Sequence, residues 1–169
     1  MQIAAAYAGA GTARWHANPA LARSGQTVAD HQGRCILLLV LLHPGPVPTA
    51  LATYLALHDM GEARAGDLSA PFKRAFPEVA AAHAEAESEL LADLLGMPLP
   101  YLTPRERDWV HLIDRLEAAA WCLLTAPAEF DRPSSGWAGA MVDILALAEE
   151  LGVGVQVNRF VTDLRGGRW

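Results

Sequence analysis

Residues 103–125 read TPRERDWVHLIDRLEAAAWCLLT, and the pattern is helical from end to end. Thr103 belongs to the residue types that cap helix N-termini, and Pro104 suits the first helical position, where no backbone N–H is needed. Beyond them Val110, Asp114, Ala118 and Trp121 recur at spacings of three and four, so they share one face. That face is apolar apart from its carboxylate. The flanking segments read the same way. Alanines crowd residues 3–10, 79–95 and 116–126, and alanine is the strongest helix former. The expected helices cover residues 3–8, 27–43 behind Thr27 as N-cap, 49–59, 62–65 as a single turn, 78–95, 104–125, and 135–151 behind Ser135. Loops are expected over 9–26 and 66–71. Val153-Gly154-Val155-Gln156-Val157 allows a strand, but no second strand is evident to pair with it. The expectation is an all-α fold, one domain over residues 1–169, without internal repeats.

Composition supports a packed core: 52% of the 169 residues are hydrophobic and 19% are charged, which excludes a disordered chain. Acidic side chains outnumber basic ones 19 to 13, for a net charge of −6. A DNA- or RNA-binding surface would be basic, so none is expected. Cys35 and Cys122 both sit in apolar runs and do not make a disulfide framework. The longest apolar run, residues 35–42, is far short of the roughly 20 residues that span a membrane. Met1-Gln2-Ile3-Ala4 has no basic n-region. A cytoplasmic protein without a membrane partner is expected.

Three features ask for chemistry. His58-Asp59 follows an apolar stretch and reads either as a helix end, with imidazole against the dipole, or as a pair of metal ligands. His31 shares a face with Val28, Cys35, Leu38 and Leu42, so it is either a core histidine bonded to a carbonyl or a ligand. Asp114 lies on the apolar face of residues 104–125, where a carboxylate is costly unless paired or metal-bound. Its other partners would be Arg107, Arg115 or Arg132. One divalent ion satisfies all of them together, with two imidazoles and two carboxylates converging from separate helices. Open positions would remain for a water and a phosphate oxygen.

The set His31, His58-Asp59 and Asp114 resembles the metal signature of the HD-domain phosphohydrolase superfamily. Residues 58–73, HDMGEARAGDLSAPFK, are similar to the HDxxExxxGDxxxPxK segment of the deoxyribonucleoside 5′-monophosphate phosphatases. Arg14-Trp15 resembles the Arg-Trp pair of that family, and phage HD-domain dNTP triphosphohydrolases share these elements. The resemblance implies an HD-type helical bundle with a central metal site. It also implies a homo-oligomer, and one divalent ion such as cobalt, manganese or zinc, with magnesium as a further candidate. It assigns His31, His58, Asp59 and Asp114 to the metal, and Glu62 and Asp67 to catalysis. Arg14, Trp15, Lys73 and His111 become candidates for the substrate. Glu62 stands one helical turn past Asp59, beside the ligands without joining them, and Asp67 follows Gly66 in a loop able to approach the scissile bond. Lys73 is the only lysine, a point charge suited to phosphate. Trp15 offers a flat face to a base or sugar, or packs in the core.

His111 departs from the relatives, which carry lysine three residues before the aspartate, and it either reaches phosphate or packs beside Tyr101 or Trp109. The implied activity is phosphate release from deoxynucleoside monophosphates or triphosphate release from triphosphates. The alternative is a catalytically silent nucleotide-binding HD sensor.

Overall fold

Two capping boxes set the helices that frame the molecule. In the first, Thr27 Oγ1 accepts the backbone N–H of Asp30 at 3.1 Å while the Asp30 carboxylate accepts the backbone N–H of Thr27 at 3.1 Å. In the second, Thr103 and Glu106 make the same reciprocal pair. Each satisfies N–H groups that an open helix end would leave without partners. The computed structural model describes residues 2–168, and its regular elements there are helical, with one isolated bridge between Ala13 and Thr27. In chain order they are α1 (Ile3–Gly9), α2 (Val28–Leu42), α3 (Thr49–Leu57), α4 (Glu62–Ala65), α5 (Ala70–Ala75) and α6 (Pro77–Leu95). There follow α7 (Pro104–Thr125), α8 (Pro127–Phe130), α9 (Trp137–Leu151) and α10 (Gly154–Arg165). The fold is all-α, as expected.

The packing divides into a main bundle and a side layer. In the bundle, α7 lies against α2, α9 and α10, and α3 packs on α2. Its interior holds Leu39, Leu51, Leu55, Leu112, Ile113, Leu116, Ile144 and Val157, all fully or nearly fully buried. The side layer packs α1, α4 and α5 against α6, around Met60, Leu91 and Leu94. Residues 57–62 run between the two, leaving α3 and entering α4, so a site there is walled by both.

Residues 153–157 close the option of a strand in favour of a helix. Gly152 takes a left-handed conformation, φ 82°, that ends α9, and α10 begins at once. Val153 and Val157, one turn apart, are both buried, with Phe160, Val161 and Leu164 continuing the stripe. A strand would have pointed Val153, Val155 and Val157 to one side. Here Val155 is 78% exposed, which only a helical period allows. Residues 70–75 form a short helix where a loop was expected over the first of them, because Ser69 caps the N–H of Phe72 and Pro71 sits in the first turn. Ser135 closes a short 3₁₀ turn, Pro133–Ser135, ahead of α9 rather than capping the helix as its N-cap residue. No helix among the described residues is long and apolar enough to cross a membrane.

Candidate metal centre

Four side chains expected to act together do meet. His31 from α2, His58 and Asp59 from the end of α3, and Asp114 from α7 each offer one ligand atom within 4.8 Å of the others. His31 Nε2 lies 3.1 Å from Asp114 Oδ1 and 3.4 Å from Asp59 Oδ2. His58 Nε2 lies 3.2 Å from Asp59 Oδ1 and 3.9 Å from Asp114 Oδ1. Both imidazoles are anchored through their other nitrogen. His58 Nδ1 is 3.0 Å from the Leu55 carbonyl, which can only accept, so this nitrogen carries the proton and Nε2 faces the carboxylates. His31 Nδ1 is 2.5 Å from Glu117 Oε2. Carboxylate or carbonyl partners behind ligating imidazoles are the usual outer shell of a metal site. His58 Nε2 is buried and has no hydrogen-bond partner. A nitrogen left unsatisfied beside two carboxylates makes a place that a cation, a proton or a metal ion, would fill. These residues could hold a metal ion.

Electrostatics agree with the geometry. Burial opposes charge on His31, yet the bonds to Asp114, Cys35 and Glu117 outweigh it and push the imidazole up to about 12. His58 is raised too, with the Asp114 bond and the Asp59 charge overcoming burial. The Asp114 carboxyl is held well below the usual range: desolvation would raise it, but the two histidines win. Cys35 approaches His31 at 3.6 Å, but burial pushes its thiol up to about 11. Without an ion it therefore stays protonated near neutral pH.

Against models of known protein families, curated proteins and solved structures, the chain matches nothing.

The remaining expected residues divide. Arg14 forms an ion pair with Asp59, Nη1 to Oδ2 2.9 Å, with only 13% of its side chain exposed. The guanidinium therefore braces the Asp59 carboxylate at the edge of the cluster. Glu62 is 9% exposed on α4, and its Oε2 is buried without a hydrogen-bond partner. Burial first, then the charge of Asp59, pushes its carboxyl up to about 8, against the opposing pull of Arg14. Asp67 and Lys73 face each other at 3.7 Å, both partly exposed, so a lysine able to swing stands at the rim. Trp15 is partly buried against the main core, its ring 6.2 Å from that of Trp137. Its packing reading holds in the structure. His111 is exposed, one turn before Asp114, and no hydrogen bond or ion pair joins it to the cluster among the described residues.

Several residues of the site were missed in the sequence. Glu117 follows Asp114 by three on α7, and a second acid on that apolar face was a readable signal. Gln32, next to His31, satisfies its amide when turned so that nitrogen donates to the Ala56 carbonyl at 3.0 Å and oxygen accepts the Asp59 N–H at 3.2 Å, an orientation that ties down the Asp59 backbone. Glu87 on α6 is raised by burial and by the charge of Asp59. Its placement depends on Gly61, where a Cβ would stand 2.7 Å from Glu87 Cγ and 3.0 Å from its carbonyl oxygen. Only glycine lets α4 and α6 come that close.

Proposed function

We propose that the chain is a metal-dependent phosphohydrolase of HD type acting on deoxyribonucleotides. One observation carries the reading: His31, His58, Asp59 and Asp114 converge with both Nε2 atoms toward two carboxylates, and Glu62 stands beside them with a buried, unpartnered oxygen. The four clustered residues are those that carry the resemblance. The nucleotide substrate rests on the resemblance of residues 14–15 and 58–73.

A divalent ion bound there, cobalt, manganese or zinc, would offset negative charge on a phosphate oxygen and make a water easier to deprotonate. The chain's own groups do the rest. Glu62 takes a proton from the attacking water: its buried, unpartnered oxygen beside the cluster supports that role. Asp67 passes the proton toward the leaving oxygen. Lys73 leaves Asp67 to meet phosphate, and Arg14 lends a second cation from its place on Asp59. A silent sensor would have no use for a buried acid beside the ligands, which favours the enzyme.

The test is a screen of deoxynucleoside mono- and triphosphates with Co²⁺ or Mn²⁺, reading free phosphate directly and longer products after pyrophosphatase. Hydrolysis of one class by the wild type, lost in Asp59→Ala, is expected. Metal uptake with no hydrolysis of any nucleotide would favour the sensor, and absence of metal uptake would remove the reading altogether.

A further inference from the structure

A chain of hydrogen bonds runs from His31 back to the loop that carries Arg14. Glu117 Oε2 faces His31 Nδ1 at 2.5 Å, and Glu117 Oε1 accepts from Gln26 Nε2 at 2.7 Å. Gln26 Oε1 in turn accepts from Trp15 Nε1 at 2.5 Å. Gln26 is 1% and Glu117 2% exposed, so water does not compete for these groups.

Every link has a forced direction. An indole N–H only donates, so Gln26 must turn its oxygen to Trp15 and its amide hydrogens to Glu117. Glu117 thus accepts at both oxygens, the second bond coming from His31 Nδ1–H. The Nε2 of His31 is left facing Asp59 and Asp114. A flipped Gln26 amide would set oxygen against oxygen at Glu117 and release that arrangement.

Backbone geometry supports the same link. Trp15 is the one non-glycine among the described residues with positive φ, at 64°, a conformation that costs a bulky residue free energy and persists only where the surroundings impose it. The Arg14 N–H donates to the Gln26 carbonyl at 2.9 Å, which ties Trp15 and Gln26 into one unit. That unit holds the ligands from two sides, Asp59 through Arg14 and His31 through Glu117.

We propose that Trp15 and Gln26 are positioning residues for His31: the indole N–H sets the Gln26 amide, and the amide, through Glu117, sets the imidazole. This rests on the metal-site reading above. The relay makes a loop residue outside the ligand set a determinant of metal affinity, independent of any contact with substrate.

The experiment is calorimetric titration of the metal-stripped full chain with Co²⁺, together with the visible absorption spectrum of the bound ion. Gln26→Leu should weaken affinity roughly 10–100-fold, the range for loss of an outer-shell partner, and change the spectrum. Trp15→Phe keeps a ring for packing and removes only the donor, and should weaken affinity in the same direction. The double variant should bind no more weakly than Gln26→Leu alone, because Trp15 acts through Gln26. Unchanged affinity in Gln26→Leu, or losses that add in the double variant, would overturn the relay. If Gln26→Leu fails to fold, Trp15→Phe decides, and wild-type affinity there overturns the proposal. A wild type that takes up no Co²⁺ removes the metal site and the relay together. Uptake without nucleotide hydrolysis removes only the proposed activity.

Discussion

Metal uptake should expel at least one proton. Without an ion, His31 is protonated, its Nε2 lying between Asp114 and Asp59 at 3.1 and 3.4 Å, with a titration point near 12. A ligating imidazole must be neutral, so each ion bound displaces at least that proton. Apparent affinity should therefore rise about tenfold per pH unit, or about 100-fold from pH 6 to pH 8, equivalent to roughly 2.7 kcal/mol. The cation-free fold moves the other way. A group with a raised folded pKa contributes stability in full below its unfolded value, about 6.5, and loses it as pH climbs toward 12. At a fixed Co²⁺ concentration above Kd, the gap in melting temperature between loaded and stripped protein should widen by roughly 5–11 °C over that interval, at about 2–4 °C per kcal/mol for a chain of this size. Differential scanning fluorimetry gives the gap, and calorimetry in two buffers of different ionisation enthalpy counts the protons. A pH-independent gap with no proton release would refute the reasoning, because it would mean the ion does not displace the His31 proton.

Glu62→Gln should keep the metal and lower turnover by at least ~100-fold, the usual scale for a general acid–base group; loss of metal instead would make Glu62 a ligand. Gly61→Ala should drive α4 from α6 at Glu87 and cost about 1–3 kcal/mol in chemical denaturation, as overpacking does. Its turnover should fall as Glu62 shifts, and wild-type stability would mean the contact relaxes freely. Leu116→Ala, at a fully buried position of α7, should cost about 2–5 kcal/mol, read from the denaturation midpoint at unchanged slope.

How much was legible in the sequence depended on whether a residue's role follows from its own element. Thr27 and Thr103 announce helix starts because a cap is a local bond, and both capping boxes formed. His31 and Asp114 were readable because a polar group on an apolar stripe contradicts the period around it. Residues 153–157 left a strand open for the same local reason. Valine content speaks for a strand, while the burial of Val153 and Val157 is decided by packing against α7 and α9. Gln26 gave no signal, and Trp15 only that of the Arg14-Trp15 pair. Their bonds span 91 and 11 residues, and neither sits on a periodic face, so only the folded chain brings them together. The loop over 9–26 held the outer part of the site and, apart from Arg14-Trp15, had no pattern to read.

The distribution of charge is the last argument for an ion at this place. Asp59, Glu62, Asp67, Glu87, Asp114 and Glu117 reach the site from both layers of the fold, and the fixed cations among them are Arg14 and Lys73. The chain answers that excess with protons: Glu62 is pushed up to about 8 and His31 up to about 12. Burial first and then the charge of Asp59 hold the Glu62 proton, while the bonds to Asp114, Cys35 and Glu117 hold that of His31 against burial. A divalent cation between the Nε2 atoms of His31 and His58 would neutralise Asp59 and Asp114 directly and leave Glu62 free to ionise near neutral pH. The Glu62 titration should then fall when the site is loaded. The pH profile of Glu62→Gln stability, with and without Co²⁺, isolates that change. In the stripped wild type, stability assisted by the Glu62 proton is present below about 4.5 and lost as pH rises through about 8, and Glu62→Gln removes this slope. With Co²⁺ bound, wild type and variant should run parallel above pH 6. Curves that diverge equally with and without the ion would mean that the carboxylate and the metal site do not share a field.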